Sequence, residues 1–191
     1  MSRARTWTQD ILEWSAWVPP VGDADVNDAR REVLDTFPTT GNTPYYRVLV
    51  HDPRILRART DLFNESLRGE TGLPRADREL AAVGSSRATG CVYCASVHAR
   101  AYSGLTREKS VVQKVLDEGT DAQIAERERA IVQFSAKLAL DPAGLSMEDI
   151  EPLRKQGFSD AEILDIAHAA AIFANANRLM LTLGEGRTKE D

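Results

Sequence analysis

The stretch "RELAAVGSSRATGCVYCASVHARAY", residues 78–102, contains both cysteines of the chain, Cys91 and Cys94, and a histidine four residues after the second. We take Cys91, which follows Gly90, to begin a helix. On that helix, Cys91, Cys94 and His98 lie within an arc of about 60°, since each residue advances the helix by about 100°. His98 can then take the proton of Cys94, and the resulting thiolate is the reactive form of a cysteine.

A carboxylate precedes this pair on an earlier helix. Glu79 follows Pro74, which predicts the helix start, and it is flanked by Leu80 and Val83 on the side expected to be buried. A carboxylate on or beside an apolar face is costly unless it has a partner. The nearest candidate partner in sequence is His98. We therefore expect Glu79 to hold or deprotonate the imidazole and to form an acid–base relay to a cysteine.

Two other interpretations of the cysteines stay open. Cys91 and Cys94 can be small buried residues of a helical core, or two thiolates of a zinc site that Glu79 and His98 complete. The sequence has no second C-x-x-C and no H-x-H pair of the kind that structural zinc sites use. A histidine in register with a C-x-x-C is also a tighter coincidence than either cysteine alone, so a reacting pair is favoured.

Composition limits the remaining function classes. The chain has 191 residues, 42% of them hydrophobic, and a formal net charge of -5, with cations and anions interspersed. This favours one globular domain and predicts neither a nucleic-acid partner nor a membrane partner. No export signal is recognisable, so we expect a cytoplasmic protein, in which structural disulfides are rare. No flavin, haem or nicotinamide motif is visible, and we expect no cofactor.

Helix signals recur along the chain, whereas no series of alternating strands is visible. Ser159 with Glu162 and Thr120 with Gln123 fit the capping-box pattern ahead of long apolar segments. Only residues 45–51, "YYRVLVH", read ambiguously, because they are rich in aromatic and β-branched residues. The predicted fold class is therefore all-α.

The chain divides into two predicted parts. Residues 1–39 form an N-terminal arm that contains every tryptophan of the chain, Trp7, Trp14 and Trp17. Residues 40–191 form the helical domain. Clustered tryptophans need a surface to cover, so the arm packs on its own subunit or reaches over a neighbouring one.

The spacing of the four candidate residues resembles a known family. Glu79, Cys91, Cys94 and His98 reproduce the pattern E-x11-C-x2-C-x3-H of alkylhydroperoxidase-D-like proteins within the carboxymuconolactone decarboxylase superfamily. The likeness to the peroxidase-related branch extends over roughly residues 40–185. It implies an alkylhydroperoxidase-D-like helical fold that assembles as a homo-oligomer, a trimer or a hexamer, with a thiol peroxidase site.

The resemblance also implies a role for each residue. Cys94 is the peroxidatic cysteine, Cys91 the resolving cysteine, and His98 with Glu79 the proton relay. One position departs from the best-known peroxidases of the family, which carry a histidine just before the second cysteine. Here that residue is Tyr93, which cannot serve as a base near neutral pH.

The predicted function is a thiol-dependent peroxidase that reduces organic hydroperoxides or hydrogen peroxide through a dithiol–disulfide cycle. The partners are a hydroperoxide substrate and an external dithiol reductant, either a dihydrolipoyl protein or a thioredoxin-like protein. The alternative is a dithiol–disulfide oxidoreductase or redox sensor with little peroxide turnover. A decarboxylase is less favoured, because the decarboxylase branch generally lacks the cysteine pair, and a structural member with inert cysteines is also less favoured.

Overall fold

A computed structural model describes residues 6–37, 40–70 and 72–188 of the chain. Within these residues the chain forms nine α-helices and two short strands, and the predicted all-α class is confirmed. The elements are β1 (Glu13–Ala16), α1 (Asp28–Asp35), α2 (Pro44–Leu49), α3 (Pro53–Arg68), α4 (Arg75–Thr89), α5 (Val92–Thr106), α6 (Ser110–Glu118), α7 (Glu126–Leu140), α8 (Met147–Lys155), α9 (Asp160–Leu183) and β2 (Gly184–Arg187).

Helix α4 is the centre of the core. Residues 80–83 have no exposed surface, and the helix packs against α5, α7 and α9. Gly84 lets α7 approach closely, since a Cβ atom at this position would lie 2.8 Å from the carbonyl oxygen of Val132. The Ser85 hydroxyl is buried beside it and donates to the carbonyl oxygen of Ala170 at 3.0 Å. Side chains that are small, or whose polar atoms are hydrogen-bonded within the protein, thus allow α5, α7 and α9 to pack closely around α4.

The turn between α4 and α5 forms where the sequence predicts it. Gly90 ends α4 in the left-handed region, with a φ of 84°, which glycine adopts without the steric cost of a Cβ atom. Cys91 is the N-cap of α5, and its Sγ atom accepts the backbone N–H of Cys94 at 3.4 Å. The resulting helical hairpin places Glu79 beside the second turn of α5.

The two capping-box predictions have opposite outcomes. At the start of α9, the prediction for Ser159 and Glu162 is confirmed, because each side chain bonds the backbone N–H of the other residue. The prediction for Thr120 and Gln123 is wrong, because α7 starts later and has no side-chain cap. The backbone N–H of Gln123 donates instead to Glu118 Oε2 at 3.0 Å, which holds this loop against the end of α6.

The two strands form a ribbon that the sequence reading missed. Strand β1 pairs antiparallel with β2, and Trp14 lies opposite Gly186. At Gly184 any side chain would collide with the Trp14 ring, so this strand depends on a residue that normally weakens strands. The Trp14 indole N–H donates to the carbonyl oxygen of Met180 at 3.2 Å, and its ring meets the Tyr45 ring edge-on at 5.3 Å.

The remaining tryptophans of the N-terminal arm differ in their surroundings. Trp7 stacks under the guanidinium of Arg87 at 4.1 Å, whereas 60% of the Trp17 surface is exposed. Between them, the carbonyl oxygen of Asp10 accepts a hydrogen bond from Ser96 of α5 at 2.6 Å. The division into an arm of residues 1–39 and a domain of residues 40–191 stays a prediction, and the last two residues of the arm lie outside the described ones. No helix in the described part of the chain is long and apolar enough to cross a membrane.

Candidate active site

A cavity of about 290 Å³ lies between α2, α3, α5 and α9. Cys94 and His98 line it from α5, and Met180 lines it from α9. Cys91 does not line it. Only one of the two cysteines therefore faces the space in which a small molecule can bind.

The two cysteine sulfur atoms are bonded to each other. The Cα atoms of Cys91 and Cys94 are 5.4 Å apart, within the range normal for a disulfide. Both residues are buried. Met180 Sδ lies 3.5 Å from Cys94 Sγ, so the sulfur facing the cavity has an apolar, polarizable neighbour.

Glu79 and His98 are in direct contact, as the sequence predicts. His98 Nδ1 lies 2.5 Å from Glu79 Oε2, and Arg75 Nε donates to the other carboxylate oxygen at 3.2 Å. Only 2% of Glu79 is exposed. Burial alone would raise the pKa of this carboxyl, but the hydrogen bond and charge of His98, with a smaller contribution from Arg75, lower it below its ordinary value. Glu79 is therefore ionised at neutral pH.

An ionised Glu79 determines how His98 can act. A carboxylate only accepts hydrogen bonds, so Nδ1 of His98 carries the proton of this contact. In the neutral imidazole, Nε2 is then the nitrogen with a free lone pair. The imidazole meets the Phe173 ring edge-on, with centroids 4.1 Å apart, and this packing limits its rotation. Cys94 is one helical turn before His98, on the same face of α5.

Tyr93 also lines the cavity, next to Cys94. Burial raises the pKa of its phenol above the ordinary value, although the charge of Arg100 opposes the shift. The residue is half-buried, and a Cβ atom placed on Gly186 of β2 would lie 3.0 Å from the Tyr93 Cβ atom. Tyr93 is thus a neutral hydrogen-bond donor and acceptor at physiological pH.

A second set of polar residues lines the cavity from α2 and α3, and sequence reasoning did not find it. Tyr45, Arg59 and Thr60 form this set, which we call the arginine wall. The Tyr45 hydroxyl, Arg59 Nε and the Thr60 hydroxyl are buried and have no hydrogen-bond partner within the described structure. We call Cys94 and His98, with Glu79 behind them, the cysteine wall.

Possible metal ligands are not grouped together in the described structure. In the described ranges 6–37, 40–70 and 72–188, no group of three or more His, Cys, Asp or Glu side chains is placed to hold a metal ion. The contact between Glu79 and His98 is instead a hydrogen bond.

Comparison with known proteins matches the cysteine-containing segment to one family. A sequence profile of the Carboxymuconolactone decarboxylase family matches residues 53–130, which include both cysteines. No curated protein matches the chain significantly.

Solved structures extend the likeness over nearly the whole chain. An uncharacterized peroxidase-related protein with an alkylhydroperoxidase core from Ralstonia eutropha JMP134 is 28% identical, with a TM-score of 0.74 over 95% of this chain and 94% of its own. An uncharacterized peroxidase-related protein from Silicibacter sp. TM1040 is 25% identical, with the same TM-score of 0.74 over 92% and 95%.

A third structure shares the fold alone. The debrominase Bmp8 is 22% identical, with a TM-score of 0.69 over 88% of this chain and 90% of its own. The profile match and the two peroxidase-related structures agree with the spacing of Glu79, Cys91, Cys94 and His98. Residues 53–130 therefore match the Carboxymuconolactone decarboxylase family, and the chain is similar over nearly its whole length to peroxidase-related proteins, one of them with an alkylhydroperoxidase core.

Proposed function

We propose that the protein is a thiol-dependent peroxidase in which Cys94 is oxidised by a hydroperoxide and Cys91 resolves the product. One observation carries the proposal. Cys94 lines a cavity together with His98, His98 bonds the buried carboxylate of Glu79, and Cys91 lies within bonding distance of Cys94 outside the cavity lining.

The first step is the activation of Cys94. Glu79 accepts the proton on His98 Nδ1, which leaves Nε2 to take the proton of the Cys94 thiol. The charge of Glu79 then stabilises the imidazolium that forms. The thiolate lies in the first turn of α5, where unpaired backbone N–H groups favour negative charge.

The second step is the reaction with the hydroperoxide. The Cys94 sulfur attacks the terminal oxygen, a sulfur–oxygen bond forms, and the oxygen–oxygen bond breaks. The leaving alkoxide takes the proton from His98 and departs as an alcohol. Cys94 has lost two electrons and is a sulfenic acid, and the peroxide has gained them.

The third step closes the disulfide. The Cys91 thiolate attacks the Cys94 sulfur, and the hydroxyl leaves as water once it has taken up a proton. An external dithiol, such as a dihydrolipoyl or thioredoxin-like protein of a reducing, cytoplasmic setting, then reduces the disulfide and becomes oxidised itself. The cycle therefore needs no cofactor besides the two cysteines.

A single-turnover experiment tests the proposal. The protein is reduced, freed of reductant under anaerobic conditions and mixed with one equivalent of cumene hydroperoxide. We expect both thiols to disappear within seconds and the intact mass to fall by about 2 Da, since a disulfide replaces two thiols. Persistence of both thiols would contradict the peroxidase function.

A second candidate function is dithiol–disulfide exchange with little peroxide turnover. The observation that favours it is Tyr93, which occupies the position before Cys94 and stays neutral because burial raises the pKa of its phenol. The same reduced protein is mixed in parallel with a small-molecule disulfide. Faster oxidation by the disulfide than by the hydroperoxide would favour exchange, and the reverse order would favour the peroxidase.

We also propose that the chain forms a homo-oligomer, a trimer or a hexamer. Ile11 and Trp17 of the N-terminal arm support this, because 67% and 60% of their surfaces are exposed. They lie within seven residues of each other in the sequence, and exposed apolar side chains that form a patch are typical of interaction surfaces. Analytical ultracentrifugation tests the assembly state, and a monomer at micromolar concentration would contradict it.

A further inference from the structure

The cavity has a cationic lining. Arg59 and Arg68 line it from α3, while none of the described lining residues is Asp or Glu. This is unexpected for a chain with a net charge of -5. The charge of the cavity is therefore a local property and not a consequence of overall composition.

Arg59 is held in place but its charge is not neutralised. Its guanidinium lies 4.6 Å from the Phe63 ring centroid, and its Nη1 atom donates to the Tyr46 hydroxyl at 3.3 Å. Within the described part of the chain it forms no ion pair, whereas Arg57 on the same helix pairs with Glu32. A half-buried guanidinium without a carboxylate is suited to bind an anion from outside the protein.

Two buried hydroxyl groups belong to the same cavity lining as this cation and lack partners within the described part of the chain. The side-chain oxygens of Tyr45 and Thr60 form no hydrogen bond with any residue in the ranges 6–37, 40–70 and 72–188, and the two residues are only 6% and 1% exposed. Buried polar atoms are nearly always hydrogen-bonded. An anionic ligand supplies what is missing, because a carboxylate has about four lone pairs that accept N–H and O–H donors.

Aromatic rings connect this region with the cysteine wall. The Phe63 ring, which stacks with the Arg59 guanidinium, packs against Phe173 with centroids 5.4 Å apart. Phe173 in turn packs against His98. Phe63 and Phe173 both line the cavity. A ligand that reaches from Arg59 to Cys94 therefore crosses an apolar surface.

We propose that the preferred substrates are small organic hydroperoxides that carry a carboxylate group. Arg59, with Tyr45 and Thr60, binds the carboxylate, the two phenylalanines contact the hydrocarbon part, and the peroxide reaches Cys94. The volume of about 290 Å³ is at the lower end of the range for small-molecule pockets, which favours compact acids over long-chain lipids. This inference rests on the proposed peroxidase function.

Three hydroperoxides of one scaffold test the preference. They are cumene hydroperoxide, its para-carboxylate and the methyl ester of that acid, which matches the acid in size but has no charge. We expect the carboxylate to oxidise the reduced protein about tenfold faster than the ester at low substrate concentration, the effect of one charge-assisted contact. Equal rates for the acid and the ester would overturn the inference and leave the peroxidase function intact.

Variants of α3 assign the preference to one residue. In Arg59→Gln the ratio of acid to ester should fall to about one, and Arg59→Lys should retain part of it. Arg54→Gln is the matched control, because it makes the same charge change on the same helix at a residue that does not line the cavity. A preference that survives in Arg59→Gln would overturn the assignment. A thermal melt verifies that each variant folds. If Arg59→Gln does not fold, the ratio of acid to ester in Arg59→Lys tests the assignment to Arg59.

A binding measurement separates this inference from the peroxidase function. The unreactive acid para-isopropylbenzoate and the neutral para-isopropylbenzamide are titrated into the disulfide form by calorimetry. Tighter binding of the acid, lost in Arg59→Gln and kept in Arg54→Gln, would support the site even if peroxide fails to oxidise the cysteines. Equal affinity for the acid and the amide would overturn it.

Discussion

The cysteine wall and the arginine wall line the same cavity, but the polar groups of the two walls differ in their hydrogen bonding. On the cysteine wall, His98 bonds Glu79, and Glu79 also accepts from Arg75. On the arginine wall, the hydroxyls of Tyr45 and Thr60 have no partner within the described structure. The Glu79 carboxylate and His98 Nδ1 are thus paired without a ligand, whereas these two hydroxyls are not.

This difference separates two tasks that a peroxidase site must combine. A proton relay works best when its geometry is fixed in advance, which the buried contact between Glu79 and His98 achieves. A binding surface instead needs groups that remain free until the substrate arrives. The difference yields predictions in which changes on the cysteine wall affect rate and stability, while changes on the arginine wall affect the choice of substrate.

The largest expected effect is at the cavity-facing cysteine. Cys94→Ser should reduce peroxide turnover to the background rate, because no thiolate then lines the cavity. Cys91→Ser should still consume one equivalent of peroxide and then stop. Peroxide consumption with a dithiol reductant measures both variants. Normal turnover in Cys94→Ser would show that the cavity is not the site of reaction.

The proton relay should have the next largest effect. His98→Gln should slow oxidation of the reduced protein about 100-fold at neutral pH, the usual contribution of a general base. Glu79→Gln should have a smaller effect, because the imidazole remains and loses only its charged partner. In both variants the pH profile of Cys94 alkylation should move to higher pH. Glu151→Gln is the control, an exposed carboxylate on α8, and an unchanged profile in the relay variants would contradict their roles.

Stability should depend on pH through Glu79. The pKa of Glu79 is lower in the folded protein than the ordinary value of 4.5. The ionised carboxylate therefore contributes its full share to the free energy of unfolding above pH 4.5, and this share is lost as acid protonates the folded carboxylate. At pH 7, Glu79→Gln should reduce the free energy of unfolding by about 2 kcal/mol, as for other hydrogen bonds to charged groups. Urea titrations of both proteins should converge as the pH falls below 4.5. A difference that is constant with pH would argue against an ionised Glu79.

The smallest expected effect is on the arginine wall. Thr60→Val removes a buried hydroxyl that has no partner among the described residues, so the free energy of unfolding should change by less than about 0.5 kcal/mol or increase. Ser85→Ala is the matched comparison, because its hydroxyl is equally buried but donates to the Ala170 carbonyl oxygen; it should cost about 1 kcal/mol. A greater loss in Thr60→Val than in Ser85→Ala would mean that the Thr60 hydroxyl is satisfied after all.

The two walls also differ in how far the sequence predicts them. Cys91, Cys94 and His98 lie on one helix, so helical periodicity places them on one face. Glu79 lies on the adjacent helix of the same hairpin, and a single glycine at residue 90 determines how the two helices meet. The three residues of the cysteine wall and the resolving cysteine, Cys91, are therefore near each other in sequence. Their contact follows from local rules, whereas their catalytic roles stay predictions.

The arginine wall follows from no local rule. Tyr45 falls in the run that read ambiguously and forms the helix α2, while Arg59 and Thr60 resemble ordinary residues of an amphipathic helix. Only the packing of α2 and α3 against α5 and α9 brings them to the cavity. Whether a hydroxyl finds a partner depends on this tertiary arrangement. The ribbon was missed for a similar reason, because its two strands lie at opposite ends of the chain.

The central claim is that Cys94, and not Cys91, reacts with the peroxide from the cavity. The most direct measurement traps the sulfenic acid with dimedone after one equivalent of cumene hydroperoxide and locates the adduct by peptide mass spectrometry. In Cys91→Ser we expect a rapid adduct on Cys94, and in Cys94→Ser we expect little adduct on Cys91. An adduct on Cys91 at a comparable rate, or none on Cys94, would contradict the account.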